Sequence, residues 1–161
     1  MNTTPAADVV TRLRDDDRSL AVAESLTGGL LAASLVEVPG SSAVFTAGVV
    51  AYTPHMKTRL LDVPAALIDT HGVVSAEVAA ALAVGARRRG EADWGIGTTG
   101  AAGPEPHGGQ PPGTVWLAVA GPDGEPVARG HHLPGDRAQV RNASVELALR
   151  LLLDVLAAER N

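Results

Sequence analysis

Leu20-Ala21-Val22-Ala23-Glu24-Ser25-Leu26-Thr27-Gly28-Gly29-Leu30-Leu31 is the stretch on which the fold class turns. Its first four residues form a short uninterrupted apolar run, the pattern of a strand buried on both faces. Thr27-Gly28-Gly29 then breaks the run and opens a helix through Leu30, Leu31, Leu35 and Val36. A strand that feeds a helix directly is half of a βαβ unit, and such units build parallel sheets between helical layers.

The same alternation extends in both directions. Upstream, Thr4-Pro5 can cap a helix carrying Val9, Val10 and Leu13, with proline in its first turn. Downstream, Pro39-Gly40-Ser41-Ser42 ends the second helix, and Gly48-Val49-Val50-Ala51-Tyr52 reads as a strand. Pro54 starts a short helix with Lys57, Leu60 and Leu61. Ser75 caps a helix through Val78, Leu82 and Ala86 that Gly90 ends. Ala92 to Thr99 is strand-like. Thr114 to Val119 is the clearest strand, and Gly121-Pro122-Asp123-Gly124 turns it back into a partner from Val127 to His132. Asp136 with Gln139 three residues on forms a capping box for a last helix through Leu149, Leu152, Leu153 and Leu156. Strand–helix alternation with one late hairpin predicts a three-layer α/β/α domain with a mixed sheet.

The chain has 161 residues, a net charge of −5, 45% apolar residues and no cysteine. That length predicts one domain over residues 1–161, with a core large enough to need no staples. Without cysteine there are no disulfides and no thiolate nucleophile, which fits a reducing, cytoplasmic address. The acidic balance argues against nucleic acid as a partner, because phosphate neutralisation needs a positive field. No apolar run approaches the roughly 20 residues that span a bilayer, and no charged-then-apolar leader opens the chain. Neither a membrane partner nor a secretory address is therefore expected.

Twelve of the 13 basic residues are arginine, and Lys57 is the single lysine. Arginine stays protonated in proteins, whereas a desolvated lysine can lose its proton and act as a base. The retained lysine is thus a modest pointer to chemistry, set against plain codon bias.

Several motifs fail on context. Gly95-Ile96-Gly97-Thr98-Thr99-Gly100 has dinucleotide-fingerprint spacing, but its glycines lie inside a strand-like run and Pro104 and Pro106 bar a following helix. His131 and His132 would point to opposite faces of a strand. The other histidines lack metal-site spacing, so neither a metal nor another cofactor is expected.

Three loops survive. In the first, Ala23 to Gly29, backbone N–H groups of Thr27, Gly28 and Gly29 would face a phosphate or carboxylate in front of the helix; the alternative is a plain cap by Thr27. In the second, Ser41-Ser42 is followed by Tyr52 and Lys57. A serine hydroxyl needs a base, and Lys57 is the obvious one if burial lowers its pKa toward 7–8; Tyr52 could relay protons between them. The alternative is an ordinary turn. The third loop runs from Thr98-Thr99-Gly100-Ala101-Ala102-Gly103-Pro104 to Gly113, where glycines allow close approach of a ligand.

Together these loops resemble the CinA C-terminal domain family, whose stand-alone members are nicotinamide-nucleotide amidohydrolases. The matching segments are Ala23 to Gly29, Gly40-Ser41-Ser42, Gly48 to Tyr52 with Lys57, Gly72-Val73-Val74-Ser75, Thr99 to Pro104, Gly113-Thr114-Val115 and Gly135-Asp136-Arg137. They fall in the family's order over nearly the whole chain. The resemblance implies a five-stranded, mostly parallel mixed sheet and hydrolysis of the carboxamide of nicotinamide mononucleotide to nicotinic acid mononucleotide and ammonia. It implies Ser42 as the best candidate nucleophile, Lys57 as base and Tyr52 as assistant, with Ser25 and Thr27 binding substrate or stabilising charge and Ser25 as the alternative nucleophile. Gly28, Gly29, Ser41, Thr99, Gly100, Ala101 and Gly103 complete the expected substrate contacts. A homo-oligomer is expected.

The departures matter. Leu26 stands where relatives commonly have cysteine, which excludes a thiol there. Pro54-His55 stands where many relatives have asparagine. A lysine common before the Pro-x-Gly segment is missing, which leaves Arg137 or Arg141 for phosphate. The rival from another class is a non-catalytic nucleotide-binding or interaction module, and ammonia release separates the two.

Overall fold

A computed structural model describes residues 3–160; Met1, Asn2 and Asn161, the ends of the expected domain, lie outside the described residues. The chain begins with α1 (Pro5–Asp15), whose Thr4 hydroxyl accepts from the Ala7 amide. The fully buried β1 (Leu20–Glu24) follows, then α2 (Leu30–Val36), a 3-10 turn (Ser41–Ala43) and β2 (Phe45–Val50). Three helices come next: α3 (Pro54–Leu61), α4 (Ala65–His71) and α5 (Ala76–Arg89). The chain closes with β3 (Trp94–Gly100), β4 (Thr114–Ala120), β5 (Val127–His132) and α6 (Arg137–Ala158).

The sheet order is β2-β1-β3-β4-β5. Pairs β2–β1 and β1–β3 are parallel, while β3–β4 and β4–β5 are antiparallel. Only β4 therefore runs against the other four strands, the mixed sheet that the late hairpin predicts. Strand periodicity sorts β1 between two cores. Leu20 and Val22 pack with α1, α2 and α6 on one face; Ala21 and Ala23 pack with Leu61, Val78 and Leu82 on the other. Truncating a fully buried leucine in either core should cost about 2–5 kcal/mol.

The dinucleotide-like glycines have a packing role. A Cβ at Gly95 would overlap the Ala83 carbonyl, and one at Gly97 the Ala79 carbonyl, so they let α5 lie directly on β3.

Local signals placed most helix ends. Ser75 caps α5, Gly90 closes it, and Asp136 and Gln139 form the capping box of α6. Two details differ. Gly29, not Thr27, is the N-cap of α2, and it has a left-handed backbone, φ 100°. The second strand spans 45–50 rather than 48–52: the Ala51 amide makes the last bond to β1, at the Glu24 carbonyl, and Tyr52 lies beyond it. Among the described residues no helix is long and apolar enough to cross a membrane.

The order β2-β1-β3 makes β1 a switch point, with the chain departing to opposite sides of it. In open α/β sheets the crevice beyond the carboxyl end of such a strand is where ligands bind. Ser25 occupies that position.

Candidate active site

Lys57 sits one turn into α3. Thr53 caps that helix and Pro54 fixes its first turn, so the chain leaves β2 and reverses at once over the sheet. The Lys57 side chain is 0% exposed. Its Nζ donates to Ser25 Oγ at 2.9 Å and to the Ala51 carbonyl at 2.9 Å, and neither partner is an anion. Burial without a compensating negative charge disfavours the ammonium and pushes its pKa down to about 8. About one molecule in ten would then carry a neutral amine at pH 7.

Ser25 is fixed by β3. Its amide donates to the Thr98 carbonyl at 3.2 Å, and the Thr98 hydroxyl is 2.9 Å from that of Thr27. Ser25 is 6% exposed and lines a cleft of about 310 Å³ with Leu26, Tyr52, Gly100, Ala102, Gly103, Pro104, Pro106 and Arg137. That volume lies at the small end of the range for ligand sites. Across the mouth, Arg137 donates to the Gly103 carbonyl at 2.8 Å and to the Tyr52 hydroxyl at 3.0 Å. Three of its five N–H donors remain for an anionic ligand.

Buried N–H groups are nearly always paired, and most of those after Ser25 are. The Gly28 amide donates to the Ser25 carbonyl and the Leu30 amide to the Thr27 carbonyl. The amides of Gly29, Leu31 and Ala32 all donate to the Glu24 carboxylate at 2.9–3.2 Å. Among the described residues, the amides of Leu26 and Thr27 donate to no protein acceptor, although both residues are buried.

This geometry corrects four expectations. Ser42 is exposed on the 3-10 turn before β2, and Lys57 lies beyond the other end of that strand. Six residues of β2, roughly 20 Å of extended chain, separate the two ends. The hydroxyl beside Lys57 is that of Ser25; Ser41, although buried, shares the remote end with Ser42. Second, the amides of Gly28 and Gly29 are already engaged within the chain, Gly28 by the Ser25 carbonyl and Gly29 by the Glu24 carboxylate. Third, Tyr52 does not stand between serine and lysine, which touch directly; it lines the cleft on the Arg137 side. Fourth, Thr99 and Ala101 face inward. The Thr99 hydroxyl donates to the Val73 carbonyl, and Ala101 pairs through its backbone with Thr114 and Gly113. Gly100 and Gly103 do line the cleft.

Glu24 and Arg141 were not singled out for these roles from sequence. A signal for Glu24 existed: an acid ending a fully buried strand needs several donors, and a helix start lies five residues on. Arg141, one helical turn beyond Arg137, donates to the carbonyls of Leu26 at 2.8 Å and Thr27 at 3.1 Å. Unlike Arg137, it does not line the cleft.

Comparison with known proteins agrees with this architecture. The family model described as the CinA C-terminal domain matches residues 2–156. The chain is 48% identical over 143 residues to a CinA-like protein of Frankia casuarinae, covering 89% of this chain and 33% of that one. It is 53% identical over 148 residues to a CinA-like protein of Anaeromyxobacter sp. (strain K), covering 89% of this chain and 35% of that one. The chain thus spans about a third of the length of these relatives. A solved CinA superfamily protein from Escherichia coli superposes with a TM-score of 0.89 at 36% identity, over 94% of this chain and 88% of that one. The competence damage-inducible protein A of Klebsiella pneumoniae gives 0.90 at 32% identity, over 96% and 98%. With its sheet, its helical layers and nearly all of its length matched, this chain belongs to the CinA C-terminal domain family.

Proposed function

We propose that the cleft hydrolyses the carboxamide of nicotinamide mononucleotide, giving nicotinic acid mononucleotide and ammonia in cytoplasmic recycling of pyridine nucleotides. The observation that carries this reading is the 2.9 Å contact between Lys57 Nζ and Ser25 Oγ on the cleft floor, made by a lysine held near pKa 8. Neutral Lys57 keeps one N–H on the Ala51 carbonyl and turns its lone pair to the Ser25 hydroxyl. It takes that proton as Ser25 Oγ bonds to the amide carbon. The amide of Leu26, which lines the cleft beside Ser25 and has no protein acceptor among the described residues, receives the developing oxyanion, a contribution of about 10²–10³ in rate. The protonated lysine returns the proton to the departing ammonia, leaving an ester on Ser25. Lys57 then deprotonates water, which cleaves the ester and restores the hydroxyl. The free donors of Arg137 suit the 5′-phosphate, so that binding away from the reacting carbon positions the amide.

The test is ammonia release by the purified chain, with no metal added, from the mononucleotide and from free nicotinamide. The proposal requires stoichiometric ammonia and acid from the mononucleotide and far slower release from nicotinamide. Binding of the mononucleotide with no ammonia released would instead identify a non-catalytic nucleotide-binding module.

A further inference from the structure

The turn after Ser25 is held from outside by a side chain that does not line the cleft. Arg141 Nε donates to the Leu26 carbonyl and Nη2 to the Thr27 carbonyl. Its guanidinium also lies against Gly28, where a Cβ would come within 3.1 Å of Nη2. Glycine at position 28, with φ +55°, leaves room for this clamp. In a planar trans peptide the C=O and N–H point to opposite sides. With the Leu26 carbonyl turned toward Arg141, the Thr27 N–H is turned away from α6. With the Thr27 carbonyl turned the same way, the Gly28 N–H is turned back to the Ser25 carbonyl, where it donates at 3.1 Å.

We infer that Arg141 is a positioning residue: by holding the Leu26 and Thr27 carbonyls it fixes the turn that presents Ser25 and the unpaired Leu26 amide to the cleft. This rests on the amidase reading above, and it goes beyond that reading by assigning the preorganisation of the site to one side chain on another element. Arg141 is a distinct case from Arg137, whose remaining donors face the cleft. Loss of Arg141 therefore acts on turnover, whereas loss of Arg137 acts on substrate binding.

The experiment measures ammonia release from nicotinamide mononucleotide by wild type, Arg141→Ala and Arg141→Lys across pH 6–10. Thermal melts of each variant run alongside. In Arg141→Ala, kcat is expected to fall by about 10²-fold, as for loss of one oxyanion donor, with KM within about threefold of wild type. The rise of activity through pH 8 stays where it is, and added guanidinium ion restores part of kcat. Arg141→Lys, which keeps the charge but lacks the two-pronged fork, falls between the two. Wild-type kcat in either folded variant, or a raised KM at unchanged kcat, overturns the inference; the latter makes Arg141 a substrate ligand. If Arg141→Ala does not fold, the Lys variant alone decides on the same criteria. Absence of ammonia release from wild type sinks the amidase reading first and this inference with it, whereas an active wild type beside an equally active variant sinks the inference alone.

Discussion

Lys57 Nζ and Ser25 Oγ meet at 2.9 Å across 32 residues of sequence, and the lysine brings no carboxylate with it. Among the described residues, the only other hydrogen bond of its amine is to the Ala51 carbonyl. A buried lysine so placed is held near the pH at which it can exchange protons, which is the condition for general-base work.

The first consequence is a pH profile. If the neutral amine is the working form, kcat/KM rises with pH, passes half-maximum near pH 8 and levels above it. Initial rates of ammonia release from pH 6 to 10 measure this directly. A profile falling through pH 8 would mean that the ammonium, acting only as a charge, is the working form.

Stability carries the same signature with a defined sign. Below pH 8 Lys57 is charged in both states, and only the folded state bears the cost of burying that charge. Between pH 8 and 10.5 the unfolded chain binds more protons, so stability rises with pH over that window. Lys57→Met lacks this titration, so its stability relative to wild type should be more favourable at pH 7 than at pH 10.5, by on the order of 3 kcal/mol. Urea titrations at the two pH values would show this.

Glu24 is buried with three backbone amides on its carboxylate, and it directly precedes Ser25. Glu24→Ala leaves those amides unpaired and should cost about 3 kcal/mol or more, with Glu24→Gln intermediate. Turnover should fall in the same order, because the loop that carries Ser25 loosens. Chemical denaturation and kcat measured on the same samples check both effects.

Tyr52 touches Arg137 and not Lys57. Tyr52→Phe removes the acceptor that steadies the guanidinium, so KM should rise by about threefold to tenfold while kcat stays near wild type. A collapse of kcat would restore Tyr52 as a proton relay.

What could be read from the sequence was what short-range physics decides. Thr4, Ser75 and the Asp136–Gln139 pair announce helix starts, because a cap and the amide it satisfies lie within three residues. Helix α4 gave no such warning: none of its residues is buried, so it carries no apolar period. The serine that meets Lys57 was a different problem. Ser42 and Ser25 both precede Lys57, and Ser42 is nearer in sequence. Only the parallel pairing of β1 and β2 brings Glu24 level with Val50, so Ser25 falls at Lys57's end of the sheet and Ser42 at the other. Register of that kind is a long-range property. The commitment of Glu24 to α2 and of Arg141 to the Leu26 and Thr27 carbonyls likewise depends on contacts between separate elements.

The most direct test is the rate of ammonia release from nicotinamide mononucleotide by Ser25→Ala beside Ser42→Ala, each confirmed folded. The account predicts loss of at least about 10³-fold in Ser25→Ala, since the acceptor of the acyl group is gone. It predicts a rate within about twofold of wild type in Ser42→Ala. An active Ser25→Ala beside an inactive Ser42→Ala would contradict it.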